Sequence, residues 1–351
     1  MPTFTGDSLR EMSSAFFAAV GFASDEAALI GRLLVEANLT GHDTHGVRHL
    51  PRYLERIRRG EIVPGAPVTV IQETPTTALL DGHRTLGHVA ATQGVRKGIE
   101  MARRMRISAV GVRNLDHVGR VGAYPEMAVR EGLVNLTFVN AQGWGIQVAP
   151  FGGIERRMGT NPVAMGFPNP GGDPILLDFA TCTIAANKIR QAAERGDDIG
   201  PGIILDGDGH PSQNPLDFLN GGGMLRPLGG DQGHKGFALG VMVDLFCGVL
   251  AGSGTAVMHD QPLNNGIFTI TIDPRAFIAE AAYDQQVREL AAYLRATKTP
   301  PGADPVMMPG EFEERNRQRR RETGIAIDDA VWANIREALA EMKVAEPQPM
   351  V

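Results

Sequence analysis

Leu9, Met12, Phe16 and Val20 recur at helical spacing, which places an amphipathic helix near the start of the chain with Asp7 at its capping position. A second helix starts at Ser24, carries Asp25 and Glu26 in its first turn, buries Ile30, Leu33 and Ala37, and stops at Gly41. A third opens at Pro51, a favoured first-turn residue, and ends at Gly60. From about residue 66 the apolar runs shorten. Spans 68–71, 78–80, 107–112, 133–140, 162–167, 175–179 and 266–272 read as strands, and 86–105, 120–131, 184–195 and 236–250 as the helices between them. The tail returns to the helical period over 275–295, 310–322 and 328–343, where Val331, Ile335, Leu339 and Met342 share a face. We therefore expect an α/β (α+β) fold with one central mixed sheet covered by helices. Residues 1–65 and 285–351 would form a helical domain from both chain ends, with 66–284 as an inserted α/β domain.

Composition narrows the class. Glycine supplies 43 of 351 residues, well above the usual ~7%, and follows no collagen-like period. Such an excess suits tight turns and close backbone approaches to a ligand. The net charge of −6 gives no broad basic surface, so nucleic acid is not an expected partner. The one basic run, 315–321, follows Glu311, Glu313 and Glu314 and reads as a salt-bridged exposed helix. The most apolar stretch, 236–252, is too short for a membrane span and carries Asp244, so it reads as a buried helix. Cys182 and Cys247 lack a CxxC partner, and no signal peptide opens the chain; both facts point to the cytoplasm. The polar, proline-rich stretch 298–305 reads as a linker.

The candidate chemistry sits mainly in the first third. The elbow 41–53 holds His42, His45 and His49 with Asp43, Thr44, Arg48, Arg52 and Tyr53. Histidine moves a proton near neutral pH, and arginine grips a carboxylate in bidentate geometry. A redox step at a hydroxyl or carbonyl carbon needs both services. His117 follows a strand and precedes a helix, a common place for site residues in α/β chains. Asp178 ends an apolar strand, where a carboxylate can orient a histidine or cap the next helix. Leu228 to Gly236 is a glycine-rich turn that opens a helix with His234 and Lys235, a plausible anion cradle. No Ser or Thr follows that lysine, which excludes a P-loop, and no GxGxxG follows a strand, which excludes a Rossmann fingerprint. The elbow histidines with Asp43 and His117 could also supply metal ligands, as in a metal-dependent hydrolase, although no HExxH-type pair occurs and no metal is expected.

In order along residues 5–340, these blocks resemble the malate/L-lactate dehydrogenase family of the second, non-Rossmann type, which includes sulfolactate, ureidoglycolate, diketogulonate and cyclic-imine relatives. The carrying blocks are Thr44-His45-Gly46 through Tyr53, His117-Val118-Gly119, Gly159-Thr160-Asn161-Pro162, Leu177 to Thr181, Lys235-Gly236 and Pro309-Gly310-Glu311. The resemblance implies hydride transfer between NAD or NADP and C2 of a small 2-hydroxy or 2-oxo acid, in a homodimer. It also admits an NADPH-dependent reductase of cyclic imino acids. By the same resemblance His45 or His117 handles the proton, Thr44 and Asp178 serve as relay partners of the elbow histidine, and Arg48, Arg52 and Tyr53 hold the substrate. Asn140, Ala141, Asp178, Phe179, Ala180, Thr181, His234, Lys235, Pro309, Gly310 and Glu311 match cofactor-contacting stretches. The chain departs at Thr44, where serine is usual, and at His49, where an arginine is common; Cys182 and Asn187 stand where Ser and Gly are common. Arg48 lies one position before that arginine, a turn of about 100° on a helix, which favours Arg52 as the carboxylate ligand.

Overall fold

The computed structural model describes residues 1–258 and 261–350. A short strand, β1 (Thr3–Phe4), leads into α1 (Gly6–Ala19) and α2 (Ser24–Leu39), which pack face to face. Thr5, not Asp7, caps α1: its hydroxyl accepts the Ser8 N–H at 3.1 Å. Asp7 sits instead in the first turn, where its charge meets the positive end of the helix dipole. Two 3-10 turns, Asp43–His45 and Val47–His49, make the elbow and deliver the chain into α3 (Leu50–Arg58).

Next come β2 (Thr69–Glu73), β3 (Thr77–Asp81), α4 (Gly87–Met105), β4 (Ile107–Leu115), α5 (Ala123–Val129), β5 (Val134–Ala141), β6 (Val163–Phe167) and β7 (Ile175–Phe179). A lobe follows with α6 (Ala186–Arg195), β8 (Ile204–Leu205), β9 (Pro211–Ser212), α7 (Pro215–Leu219) and β10 (Met224–Leu225). The chain then runs through α8 (His234–Asp244), β11 (Asn265–Ile272), α9 (Glu280–Arg295), α10 (Glu311–Thr323), β12 (Ile325–Ala326) and α11 (Asp329–Glu341). Among the described residues the central sheet has seven strands, in the order β2-β3-β4-β11-β5-β6-β7. Only β3 and β4 pair in parallel, so the sheet is mixed, as expected.

One apolar core joins both chain ends: Phe16, Phe17, Leu50 and Tyr53 pack with Ile325, Trp332, Ile335 and Leu339. The β1–β12 pairing sews these ends together, Thr3 opposite Ala326 and Phe4 opposite Ile325. A second core lies beneath α4 and α5, with Val95, Val110, Val112, Tyr124 and Ile267. Two expectations need correction. The apolar stretch near 236–252 is neither one regular helix nor fully buried. The α-helix gives way to a π-helical turn at Leu245–Leu250, and Met242, Leu245, Val249 and Leu250 are 49, 44, 58 and 61% exposed. The basic run is salt-bridged but not merely exposed. Arg317 is buried and meets Glu36 at 3.2 Å and Glu126 at 2.8 Å, while Arg320 meets Asp43 at 2.7 Å. These pairs clamp α10 to α2, α5 and the elbow. Among the described residues no helix is long and apolar enough to cross a membrane.

Candidate active site

The elbow is fixed from several sides. Asn38 accepts the Val47 N–H at 3.0 Å and donates to Asp43 at 2.7 Å. Gly46 is required there, because a Cβ would lie 2.1 Å from the Asn38 amide oxygen. The Thr44 carbonyl accepts from His49 Nε2 at 2.7 Å and from Asn187 Nδ2 at 3.2 Å, the latter a tie from α6. The Thr44 side chain lies 3.0 Å from His45 Nδ1. His45 therefore has one ring nitrogen held by a hydroxyl.

His117 is held in the same way from the other wall. Its Nδ1 lies 2.7 Å from the hydroxyl of Tyr53, itself buried in the terminal core. Its backbone N–H donates to Asp116 at 2.6 Å. Asp116 is gripped by buried Arg56, which also bonds Glu61 at 2.8 Å and the Leu263 carbonyl at 2.9 Å. The His45 and His117 rings are nearly parallel, 11° apart with centroids at 5.8 Å. His49 and His88 pack behind His117 at 4.9 and 6.4 Å.

Burial is the main cause that lowers the pKa of each histidine of this cluster. It pushes His45 down to about 4, with the charges of Arg120 and Lys188 adding to the effect, and His88 down to about 3. His49 and His117 are driven well below their ordinary value, again mainly by burial. All four imidazoles are thus neutral at pH 7. Burial and the Asp116 charge hold the Tyr53 phenol well above its usual range, so it keeps its proton. Buried Asp116 is raised to about 6 against the opposing pull of Arg56.

His45 and His117 face a cavity of about 380 Å³. Thr44, Arg52, Asn140, Ala141, Asp178, Phe179 and Ala180 line it with them, so the structure brings most of the sequence-derived site together. Asp178 does not reach a histidine as the expected relay. Its carboxylate accepts the Gly122 N–H at 2.7 Å and lies 3.9 Å from Arg120 Nε. The Asn140 side chain is spent on structure, donating to Asp244 at 2.8 Å and accepting the Gly266 N–H at 3.0 Å. Arg48 points away, toward Glu194 at 3.4 Å, and lines a neighbouring concavity instead. Tyr53 stands behind His117 rather than in the cavity wall. The Thr181 hydroxyl donates to the Thr160 carbonyl at 3.2 Å. The Cys182 thiol is buried, donates to the Ile184 carbonyl at 3.2 Å, and has its pKa pushed up to about 12 by burial; it is no nucleophile.

The remaining expected cofactor residues are strung along β7. Leu176 donates to the Pro309 carbonyl at 3.0 Å, which sets the 309–311 turn beside the start of the strand. Glu311 accepts the Met308 N–H at 2.7 Å and pairs with Arg295. Beyond the other end, Thr181 abuts the start of α8: a Cβ on Gly236 would lie 2.9 Å from the Thr181 carbonyl and 2.4 Å from that of Leu228. His234 and Lys235 are exposed in the first turn of α8, and among the described residues Lys235 has no acidic partner. Buried Arg120 keeps its Nε without a hydrogen bond. An unpaired lysine in the first turn of α8 and a buried Arg120 Nε with no hydrogen bond fit a phosphate-bearing group.

Several cavity residues escaped the sequence reading: Arg120, Trp144, Lys188 and Arg190. The lysine and Arg190 sit on amphipathic α6, where cations ordinarily signal only a solvated face. The supporting pair Arg56–Asp116 was equally silent, since 60 residues separate its members. Among the described residues no three His, Cys, Asp or Glu side chains are disposed to hold a metal ion.

A neutral histidine pair lies in a cleft beside a mixed, non-Rossmann sheet, and comparison with known proteins gives the class. The chain belongs to the malate/L-lactate dehydrogenase family, whose model matches residues 4–336. It is 34% identical to hydroxycarboxylate dehydrogenase B of Escherichia coli, over 98% of this chain and 95% of that one. It is 33% identical to L-lactate dehydrogenase of Cupriavidus necator, over 97% and 98%. The structure of a putative malate/lactate dehydrogenase from E. coli superposes with a TM-score of 0.93 at 32% identity, covering 99% of this chain and 97% of that one. The protein is accordingly a dehydrogenase of 2-hydroxy acids, in a family of NAD(P)-dependent enzymes. The metal-dependent hydrolase reading is thereby set aside.

Proposed function

We propose that the protein interconverts a small 2-hydroxy acid and its 2-oxo acid with NAD or NADP, using His117 as the principal proton carrier. The nicotinamide, when bound, accepts or supplies the hydride. The observation that carries the reading is the hydroxyl-held, stacked histidine pair opposite Arg52 in one cavity.

Oxidation of a C2 hydroxyl releases a proton, and a neutral imidazole beside that oxygen can take it. A hydroxyl at Nδ1 can either donate or accept. With Tyr53 donating, His117 presents Nε2–H to a carbonyl oxygen; with Tyr53 accepting, it presents a bare Nε2 to an alcohol. The same switch exists at His45 through Thr44. His117 has the stronger scaffold, because Asp116 and Arg56 fix its backbone. His45, stacked beside it, is placed to hydrogen-bond the same oxygen. Arg52 is half-buried and, among the described residues, makes no close ion pair; Asp116 acts on it only at longer range. It suits the substrate carboxylate. Lys235, the α8 amides and the Asp178–Thr181 strip would hold the dinucleotide.

The test is a substrate panel with both cofactors. The reading predicts turnover of at least one 2-hydroxy acid, abolished in His117→Ala. Activity on a cyclic imino acid and on no 2-hydroxy or 2-oxo acid would move the assignment to the imine-reductase branch. For quaternary structure we infer a homodimer, supported by the exposed apolar strip Met242, Leu245, Val249 and Leu250. Light scattering on Leu250→Glu should show monomers where the parent chain shows dimers.

A further inference from the structure

Oxidation of a C2 hydroxyl leaves a proton inside the site, and the rings beside it are poor places to keep one. Burial opposes a charge on His45 and on His117, so an imidazolium formed on either gives up its proton readily at pH 7. The walls behind them are closed. Tyr53 is buried, and among the described residues its hydroxyl meets no acceptor beyond the His117 ring. Thr44, on the inner nitrogen of His45, is buried as well.

The remaining histidine of the elbow is placed differently. His42 caps the 3-10 turn that carries His45, and the His45 N–H donates to the His42 carbonyl at 2.8 Å. Side chains three apart on such a turn lie one above the other, and both of these line the cavity. His42 also lines the neighbouring concavity of about 510 Å³, where its Nε2 lies 3.3 Å from Glu313 of α10. Its side chain is 28% exposed and that of Glu313 23%, so the pair reaches solvent while the inner histidines do not. The hydrogen bond from His42 holds the Glu313 carboxyl below its ordinary range, and the charge of Arg120 acts on both Glu313 and His45. His42 thus stands in the wall between the cavity and the outer concavity, with an ionised carboxylate on its far nitrogen.

Resting on the dehydrogenase reading above, we propose that His42 and Glu313 form the proton exit of the reaction. In the oxidation the C2–H bond breaks and its electron pair goes with the hydrogen to the nicotinamide. The O–H bond breaks, the C2–O double bond forms, and the proton passes to the inner histidine pair. From there it moves to Nδ1 of His42, whose Nε2 gives its own proton to Glu313. Glu313 releases that proton to water in the outer concavity, and a flip of the partly exposed His42 ring restores the starting tautomer. Reduction draws its proton inward along the same path.

The experiment follows oxidation of the best 2-hydroxy acid, in a bulky buffer, by the parent chain, His42→Gln, His42→Ala and Glu313→Gln. The glutamine at 42 keeps an amide donor for Glu313 but carries no proton. A placed proton-transfer group contributes about 10²- to 10⁴-fold, so kcat should fall at least about tenfold in both His42 variants. Their kcat/KM should stay within about twofold of the parent, because the proton leaves after the hydride has moved. Free imidazole should restore kcat in His42→Ala, saturating with concentration, and should leave the parent unchanged. Glu313→Gln should show the same split between kcat and kcat/KM with a smaller fall. An unchanged kcat in His42→Gln overturns the inference and leaves the dehydrogenase reading standing. So does a joint fall in kcat and kcat/KM that imidazole does not relieve, the mark of a purely structural tie between α10 and the elbow. Absence of turnover with every 2-hydroxy acid overturns both.

Discussion

Removing the Tyr53 hydroxyl isolates the proposed proton path. Tyr53→Phe keeps the ring that packs against Phe17 and His49 but deletes the 2.7 Å contact to His117 Nδ1. In the oxidation His117 becomes an imidazolium, and the hydroxyl then accepts a charge-assisted hydrogen bond. Such a bond is worth about 2 kcal/mol in a site shielded from water. The ground state, with a neutral ring, loses roughly half as much. The transition state therefore bears a net extra cost of about 1 kcal/mol, and kcat and kcat/KM should both fall roughly 5- to 10-fold. KM for the dinucleotide should hold steady, because Tyr53 lies behind the histidine and away from β7. Steady-state rates for the best 2-hydroxy acid, with circular dichroism to check the fold, give the answer. A kcat within a factor of two of the parent would refute the role of His117 and favour His45, whose partner is Thr44.

Other consequences are equally open to measurement. Because burial holds His45 and His117 neutral, kcat/KM for oxidation should, on the proposed mechanism, stay flat from pH 8 to below 6; an acid limb centred near the ordinary histidine pKa of about 6.5 would contradict that account. His88 should make the fold acid-sensitive. Its folded-state pKa of about 3 lies below the unfolded 6.5, so the unfolded chain binds the extra proton and stability drains away as pH falls through 6.5. By pH 5 this one ring costs about 2 kcal/mol, and urea titrations should show His88→Gln losing less stability between pH 7 and 5 than the parent does. Arg52→Gln should raise KM for the acid roughly 30-fold or more while leaving dinucleotide binding intact, as read by fluorescence titration.

The long elements were legible because many side chains repeat the same period. α4 and β5 each bury a full face, and the sequence spans 86–105 and 133–140 fall within a residue or two of them. Strands of two residues have no period to read, so β1, β8, β9, β10 and β12 went unseen. The site divides in the same way. His45, His117 and Asp178 stand out as reactive types at loop and strand ends, and Arg52 as a cation in the first turn of α3 beside the elbow. What each one touches is decided by tertiary packing: Asp178 meets Gly122 rather than a histidine, and Tyr53 reaches His117 across 64 residues. Arg190 looks like any solvated helix cation until α6 is folded onto the elbow.

The position of β11 bears on how the chain reaches this state. It is inserted between β4 and β5 and pairs antiparallel with both. On the ribosome, β4, α5 and β5 emerge first, and at about 5–20 residues per second the filling strand arrives many seconds later. Until then β4 and β5 present two facing, unpaired edges that point the same way. A parallel β4–β5 pairing would close the sheet one strand short. The nascent chain must keep that slot open, or reopen it, before Asn265 can donate to the Asn140 carbonyl and lock the strand in place. Refolding from denaturant should therefore be limited by insertion of β11, and the active site, which borders Asn140 and Asn265, is completed only with that step.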